Sequence, residues 1–330
     1  MKNIIIKSLL VSGVLIYSAY STAACIQNPN YNNVMVDVPN RVFNIQYDDL
    51  TTRTLATFTL NYRPANITSF KENSGRCGDN AFIKGDFING WTPNSNKIAT
   101  TNIPGIGIKV KMNNMGYINL KYTGDNYPSN VIKSKFIIIN PTWTVEIIKT
   151  GRVTQSNTLT GGNLARMVQH NTLPNNHQWI LSTLRIPAGA IKVNSLKCTT
   201  KATSYNINLG TWYDTQFKNI GDVSQNVNVP ITLNCAAGTN IKATVTSSAG
   251  YIDANTGKLK LSGANSATGI GIQLVNANNS PIKLNTKLTM QNNVSSGDYI
   301  FNWKARYIKT GNTITAGSAN SVATVNILYE

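Results

Sequence analysis

Short apolar or alternating segments recur along the chain and are separated by Gly, Asn, Pro and Asp. In the segment Ile106–Met112 every second residue is apolar and large, and Lys109 and Lys111 lie between them. Side chains alternate between the two faces of a strand, so this spacing predicts one core face and one solvent face. Short strands joined by polar turns predict an all-β protein made of two tandem β-sandwiches.

The pattern weakens in the middle of the chain. Residues 155–176 are polar and poor in large apolar side chains, which predicts loops, and only 163–169 within them have helical character. Strand character returns at 179–184, and Pro187 and Gly189 then interrupt it. Such an interruption marks a domain boundary in this part of the chain.

These patterns predict the domain organisation. We expect a signal peptide at residues 1–24, a first β-sandwich domain at 25–186, a linker at 187–197 and a second domain at 198–330.

The signal peptide is predicted from its three parts. Lys2 and Lys7 make a basic start, an apolar segment too short to span a bilayer follows, and small residues end it. The residues before Cys25 also resemble a lipoprotein cleavage box, but the usual Leu is missing. Lipidation would leave an unpaired thiol in an oxidising compartment. We therefore expect an exported chain that begins at Ala24 or Cys25.

The four cysteines fall into two sequence-local pairs, Cys25 with Cys77 and Cys198 with Cys235. In an exported protein this arrangement predicts two disulfides, one joining each pair and one in each domain. No Cys-x-x-Cys spacing occurs, so a zinc site built on cysteines is not predicted.

Positive charge is spread over the whole chain. The net charge is +17; up to residue 190 the mature chain has 16 basic and 8 acidic side chains, and after it 12 and 5. A nucleic-acid-binding face concentrates its basic residues. We therefore expect a basic exterior and no nucleic-acid partner.

From Cys198 onward several motifs occur in a fixed order. They are Tyr205-Asn-Ile-Asn-Leu-Gly, Val229-Pro-Ile-Thr-Leu-Asn-Cys, Ala267-Thr-Gly-Ile-Gly-Ile-Gln-Leu, Phe301-Asn-Trp-Lys-Ala-Arg-Tyr and Ala323-Thr-Val-Asn-Ile-Leu-Tyr-Glu. Together they make this region similar to the pilin domain of chaperone–usher fimbriae of the type 1 kind. The resemblance implies an incomplete Ig-like sandwich. A strand of a periplasmic chaperone and then the donor strand of the next subunit would complete it, with an outer-membrane usher as a further partner.

The last segment agrees with that implication. Its apolar residues alternate with polar ones, which predicts a strand with one core face. Because the sequence supplies no later strand to pair with it, we expect an open groove beside it. The resemblance implies that the chaperone and donor strand contact the residues Ala323, Val325, Ile327, Tyr329 and Glu330.

A tip position is expected from the start of the mature chain. Shaft pilins donate a free N-terminal strand, whereas Cys25 stands at the mature start and is expected to be bonded to Cys77. A whole domain replaces the donor arm, an arrangement similar to the two-domain tip adhesins of such fimbriae. We therefore predict export through the periplasm to the extracellular fimbrial tip.

The first domain is predicted to bind a receptor, with a glycan as the leading hypothesis. A glycan site needs carboxylates or amides for sugar hydroxyls and an aromatic face for C–H groups. The predicted ligand-binding residues are Asp79, Asp86, Asn89, Trp91 and Asp125. The alternatives are core packing for the tryptophan and turn formation for Asp and Asn.

Two further groups have an ordinary explanation. His170 and His177 are the only histidines, and zinc needs three or four protein ligands, so we expect solvated loop histidines and no metal. Five lysines on strand-like segments predict a solvated sheet exterior, with a basic face for sulfated or sialylated glycans as the alternative: Lys109, Lys111, Lys121, Lys133 and Lys135.

Other functions compete with the glycan hypothesis. An adhesin for matrix protein or abiotic surfaces needs a broad patch in place of a pocket, and a tip subunit without a lectin pocket is the remaining alternative. An enzyme is not predicted, because the chain has three glutamates and no nucleophile motif. Asp48 and Asp49 are adjacent, and in a strand they would face opposite sides. The two carboxylates could therefore not flank a substrate bond, as a glycosidase requires. No cofactor is predicted either, since Gly269 and Gly271 lack the third glycine of a dinucleotide loop.

Overall fold

The computed structural model describes residues 25–63, 71–73, 75–76, 81–112, 118, 137–139, 141–171 and 176–330. The predicted signal peptide lies outside the described residues, as do Cys77, Asp79, Asp125, Lys121, Lys133 and Lys135. The fold is all-β, with 49% strand and 2% helix among the described residues, which confirms the predicted fold class. Neither of the two described helical turns, Pro29–Tyr31 and Asp214–Gln216, has the length or apolar content needed to span a membrane.

The first domain is built from short strands that end at Leu196. In chain order these are β1 Ile26–Gln27, β2 Val34–Asp37, β3 Arg41–Gln46, β4 Arg53–Asn61, β5 Lys71–Asn73, β6 Gly75–Arg76, β7 Ala81–Phe87, β8 Ala99–Thr100, β9 Ile106–Met112, β10 Ile137–Ile139, β11 Thr142–Lys149, β12 Asn157–Thr158, β13 Gly162–Asn171, β14 His177–Ile186 and β15 Ile191–Leu196.

Three sheets enclose the core of this domain. Their strand orders are β4-β11-β9-β8, β2-β14-β13-β7 and β12-β15-β3, and the pairs β1–β6 and β5–β10 lie beside them. The pairings of β14 with β2 and of β15 with β3 are parallel, and the others within these sheets are antiparallel.

Strand β9 has the two faces that its sequence predicts. Its four large apolar residues are at most 3% exposed, whereas Lys109 and Lys111 are only half-buried on the other face. Trp143 on the neighbouring β11 is fully buried, and its Nε1 donates to Ser182 Oγ at 2.9 Å. Each fully buried large aliphatic side chain stabilises the fold by about 1.5–3 kcal/mol, so this face is a main part of the first core.

The prediction of loops at 155–176 and of helical character at 163–169 was wrong. This region contains β13, a ten-residue strand between β14 and β7. Its polar side chains bond within the sheet: Gln169 Nε2 donates to Asn171 Oδ1 at 2.7 Å, and both residues are fully buried. Buried polar groups are tolerated when they are hydrogen-bonded, so a polar sequence can form a core strand.

The structure also differs from the predicted linker at 187–197. Most of that segment is β15, which pairs in parallel with β3 of the first domain. Ile191 and Val193 are fully buried in the first core, and Lys192 between them is exposed. The alternation spans too few residues to stand out in the sequence. The first sandwich therefore continues to Leu196.

The second domain begins at Cys198. Its strands are β16 Cys198–Thr200, β17 Val227–Val229, β18 Thr232–Cys235, β19 Ile241–Thr246, β20 Tyr251–Asp253, β21 Lys258–Leu259, β22 Ile270–Val275, β23 Leu288–Gln291, β24 Gly297–Ile300, β25 Trp303–Lys309 and β26 Thr324–Leu328. They form sheets of order β16-β18-β24, β17-β25-β22-β21-β20 and β23-β19-β26.

A disulfide and an aromatic cluster stabilise the second core. The predicted bond between Cys198 and Cys235 is present and joins facing positions of β16 and β18. Phe301 packs edge-on against Trp303, with ring centroids 4.8 Å apart. Cys25 of the first domain is also disulfide-bonded, but its predicted partner lies outside the described residues, so that pairing stays a prediction.

Candidate functional site

The described members of the predicted glycan site lie at the end of β7. Asn89 adopts a left-handed turn conformation, with φ of 57°, and its Nδ2 donates to Asn163 O at 3.0 Å. Trp91 is half-buried against the first core. Turn formation and core packing thus explain part of the placement of both residues, and their contact with a ligand stays a prediction.

Asp86 belongs to a charged cluster on the outer face of its sheet. Ile83 and Phe87 of the same strand face the core, and Asp86 is 7% exposed. Its carboxylate lies 3.2 Å from Lys84 Nζ, and Arg166 of β13 is its cross-strand partner. Within the described residues the buried Nε of Arg166 has no hydrogen-bond partner.

His170 lies next to this cluster. The sequence predicts a loop for both histidines, but they lie on paired strands, where His170 faces Gln178 and His177 faces Asn171. Burial, followed by the positive charge of Lys84, lowers the pKa of His170; Asp86 opposes the effect and Arg166 adds to it. Lys84 and Arg166 place two positive charges beside the single carboxylate of Asp86. In the described part of the chain, no three His, Cys, Asp or Glu side chains are grouped for a metal.

A second candidate is an open cleft of about 550 Å³ in the first domain. Its lining includes Arg41 and Phe43 of β3, Leu55 of β4, and Lys192 of β15. Among the described strands, β3 and β4 are the outer members of their sheets. The cleft thus lies between two sheet edges and contains cations, amides and apolar surface. No local pattern predicts this cleft, because it joins strands whose paired residues, such as Asn44 and Asn194, are 150 residues apart. The alternation in 41–46 and 191–196 is the only signal of it in the sequence.

Strand β26 is the third feature of functional interest. Within the described residues it pairs only with β19, which leaves its other edge unpaired. Val325 and Ile327 are half-buried against the second core, and Tyr329 is 8% exposed, as their alternation predicts. Ala323 precedes the strand and is exposed, and the Glu330 carboxylate pairs with Lys242 and Lys287.

Comparisons with known proteins assign both domains. Residues 189–330 match the family of fimbrial proteins, and residues 55–186 match the family described as MrkD-like receptor binding domain. A fimbria adhesin protein of Klebsiella pneumoniae is 28% identical over 271 residues, which cover 77% of this chain and 79% of that protein. The type-1 fimbrial protein, A chain, of Salmonella typhi is 31% identical over 136 residues, which cover 40% of this chain and 73% of that protein.

Among solved structures, the CupB6 tip adhesin of Pseudomonas aeruginosa is 18% identical and is matched over 92% of this chain and 94% of its own, with a TM-score of 0.38. At that score the overlap adds no weight to the assignment.

A receptor-binding sandwich followed by a pilin-type sandwich defines the class of two-domain tip adhesins of chaperone–usher fimbriae. The chain belongs to the fimbrial protein family. This is shown by its similarity to the type-1 fimbrial protein and by the match of residues 189–330 to the family. Adhesins of this kind are exported and displayed on the cell-surface fimbria, and the family is one of structural and adhesive proteins, not of enzymes.

Proposed function

We propose that this tip adhesin attaches a bacterium to glycans on host or surface receptors through residues 25–196, and that its second domain anchors it to the fimbria by accepting a strand. The observation that carries the adhesive role is the match of residues 55–186 to a receptor-binding family directly ahead of a pilin-type domain. The curated relative from Klebsiella pneumoniae is itself named as a fimbria adhesin.

The charged cluster at Asp86 supports a glycan as the ligand. Asp86 offers carboxylate oxygens for sugar hydroxyls, and Arg166 offers a buried N–H donor without a partner among the described residues. Lys84 adds positive charge at the same place, whereas the lowered pKa of His170 favours its neutral form. A buried donor gains most from a charged acceptor, so an acidic glycan suits this cluster better than a neutral one.

The unpaired edge of β26 supports anchoring by strand addition. Val325 and Ile327 present half-buried apolar side chains that an incoming strand would cover. Backbone hydrogen bonds along such an edge supply affinity, and side-chain pockets supply specificity. The partners in this proposal are a periplasmic chaperone, the usher and the donor strand of the next fimbrial subunit.

A second candidate ligand is an extended segment of a matrix protein. The cleft between β3 and β4 lies between two sheet edges, and an extended peptide can add to such an edge. Arg41 and Lys192 would favour an acidic peptide there.

A glycan array and a matrix-protein panel distinguish these ligands. We expect the mature chain, completed with a strand peptide, to bind acidic glycans, and Asp86→Asn or Arg166→Gln to reduce that binding at least tenfold, as the loss of a charged hydrogen bond implies. Arg185→Gln is the matched control, because Arg185 pairs with Asp37 on the surface of the same sheet. Binding to collagen or fibronectin that ignores added sugars and is lost in Arg41→Gln would favour the second candidate.

A further inference from the structure

The hydrogen-bonding direction of β26 can be read from its neighbours. Val245 of β19 faces Val325, but the Val245 carbonyl accepts from Asn285 N–H, away from β26. In antiparallel sheets a residue and its partner either bond to each other or both point away. Val325 therefore directs its N–H and C=O toward the unpaired edge.

The backbone groups at the end of the strand follow the same alternation of direction. Backbone groups of alternate residues point to the same edge, so Ile327 and Tyr329 share the direction of Val325. Glu330, one residue on, points the opposite way, since its carbonyl accepts from Asn240 Nδ2 beside β19 at 3.3 Å. The unpaired edge of β26 is thus formed by the backbone of Val325, Ile327 and Tyr329.

The last of these three positions is already occupied by the first domain. Asp48 N–H donates to Tyr329 O at 2.7 Å, and Tyr329 N–H donates to Asp48 Oδ2 at 2.9 Å. Asp48 thus makes the two bonds that a residue of a paired strand would make. The Tyr329 hydroxyl is held as well, because it donates to Cys198 O at 3.1 Å.

Several contacts hold the turn that carries Asp48. Arg152 Nη2 lies 3.2 Å from the other carboxylate oxygen of Asp48. The fully buried Lys149 donates to Asp49 O at 2.6 Å and to Thr51 O at 2.7 Å. Buried cations that bond carbonyl oxygens fix a turn firmly. Asp48 is therefore presented to β26 by a rigid element.

A second contact between the domains lies next to the turn. Gln46 Nε2 donates to Gly238 O at 2.8 Å, and Gln46 Oε1 accepts from Asn240 N–H at 2.9 Å. Tyr47 packs against the second core, with Lys197 Nζ 4.9 Å from its ring centroid. These bonds place the Asp48 turn at the end of β26 and not elsewhere on the second domain.

We propose that the Asp48 turn is a register stop: a complementing strand from another fimbrial subunit pairs with Val325 and Ile327 and ends before Tyr329. This inference rests on the proposed strand acceptance. In this arrangement the first domain of the same chain fills the final pairing position of the groove. The seating of a donor strand is therefore tied to the docking of the adhesin domain.

Two synthetic peptides test the stop. Both alternate valine and threonine and pair antiparallel with β26; one ends opposite Ile327, and the other is two residues longer at its N-terminus and reaches Tyr329. In the wild-type mature chain the longer peptide is expected to bind within about twofold of the shorter one. In Asp48→Ala it should bind roughly fivefold tighter than the shorter one, since Tyr329 N–H loses its carboxylate acceptor and becomes available, whereas the backbone N–H at position 48 still donates to Tyr329 O. If the longer peptide bound more tightly than the shorter one by the same factor in wild type and in Asp48→Ala, the proposal would be overturned.

Two further variants make the result specific. Asp48→Asn keeps an oxygen for Tyr329 N–H and loses the charge facing Arg152, so its gain should lie between those of wild type and Asp48→Ala. Asp37→Ala removes a carboxylate that bonds Arg185 in the first domain, and it should behave as wild type. A gain in Asp37→Ala equal to that in Asp48→Ala would contradict a role for Asp48 itself.

Hydrogen exchange separates failure of this inference from failure of strand acceptance. Exchange at the Tyr329 amide is measured on the complex with the shorter peptide or, if no peptide binds and the chain is stable alone, on the free mature chain. Asp48→Ala should exchange roughly 10- to 100-fold faster at this amide than wild type, the factor expected for a bond to a charged acceptor. Equal exchange overturns the stop, whereas absent peptide binding overturns strand acceptance.

Discussion

The two domains use the same kind of sandwich and differ in how a central strand is paired. In the first domain, β14 lies between β2 and β13 and is hydrogen-bonded on both edges. In the second, β26 lines the core but, within the described residues, pairs only with β19. Its last free position is filled by Asp48 of the first domain. Within the described residues, β14 is thus paired on both edges by strands of its own domain, whereas the end of β26 is bonded by a residue of the other domain.

The domains satisfy their buried polar side chains in the same way. The first core encloses hydrogen-bonded side chains such as Gln169 and Asn171. In the second domain, the buried Lys309 donates to the carbonyls of Phe217 and Lys218. In both places the buried group is satisfied, as a stable interior requires. Both domains also contain a few buried polar atoms without a partner among the described residues, Arg166 Nε in the first and Asn226 Oδ1 and Ser247 Oγ in the second. Strand pairing is therefore the clearer contrast between them.

Separating the domains should give the largest effect. Residues 25–196 are expected to unfold cooperatively on their own, whereas residues 197–330 lose both a complementing strand and the Asp48 turn and should aggregate. Circular dichroism melting and sedimentation measure this. Addition of an alternating valine–threonine peptide to 197–330 should restore a soluble monomer. A cooperative, monomeric 197–330 without peptide would refute the contrast between the domains.

Removal of β15 should have the next largest effect. Residues 25–186 lack Ile191 and Val193, which are fully buried and contribute about 2 kcal/mol each. We expect this fragment to be several kcal/mol less stable than 25–196 in urea denaturation. The variant Ile191→Val in 25–196 provides the scale, with an expected loss of about 1 kcal/mol. Equal stability of the two fragments would mean that β15 does not belong to the first sandwich.

Removal of the second disulfide should destabilise only the second domain. Cys198 and Cys235 are 37 residues apart. A disulfide that closes a loop of that length stabilises the folded state by about 3–4 kcal/mol. The double variant Cys198→Ala with Cys235→Ala should lose this amount in the peptide-completed chain. The unfolding of the first domain in the same sample serves as the internal control, and a matching loss there would show that the two domains unfold as one unit.

Low pH should reduce the stability of the first domain by a smaller amount, through Asp49, which follows Asp48 in the same turn. Burial alone would raise the pKa of Asp49, but hydrogen bonds from Thr51 and Arg53 outweigh it and lower the pKa from 3.8 to about 2. A lowered pKa stabilises the folded state above pH 3.8 by about 2 kcal/mol, and this stability is lost as the pH falls toward 2. Urea denaturation of 25–196 between pH 5 and pH 2 should show the loss. Asp49→Asn should be less stable at pH 5 and flatter over this range, and an unchanged pH profile would exclude this role.

Local alternation predicted several elements correctly. The core face of β9, the apolar residues of β26 and the bond between Cys198 and Cys235 all follow from spacing along the chain. Strand β13 could not be predicted in this way, because its polar residues Gln169 and Asn171 hydrogen-bond to each other only after the sheet has formed. The proposed ligand site is split in the same way: Asp86 stood out in the sequence, but Arg166 and His170 join it only through the pairing of β7 with β13.

The sequence by itself determined the all-β class, the export expectation and the pilin character of the second domain, because strand periodicity and motif order are properties of neighbouring residues. Only the tertiary structure decided where the first domain ends, which charges meet at Asp86, and what occupies the end of β26. Asp48 and Tyr329 are separated by 281 residues, and their contact consists of one bond between backbone groups and one from Tyr329 N–H to the Asp48 carboxylate. A contact of that kind leaves no pattern in the sequence and exists only once both sandwiches are folded and docked.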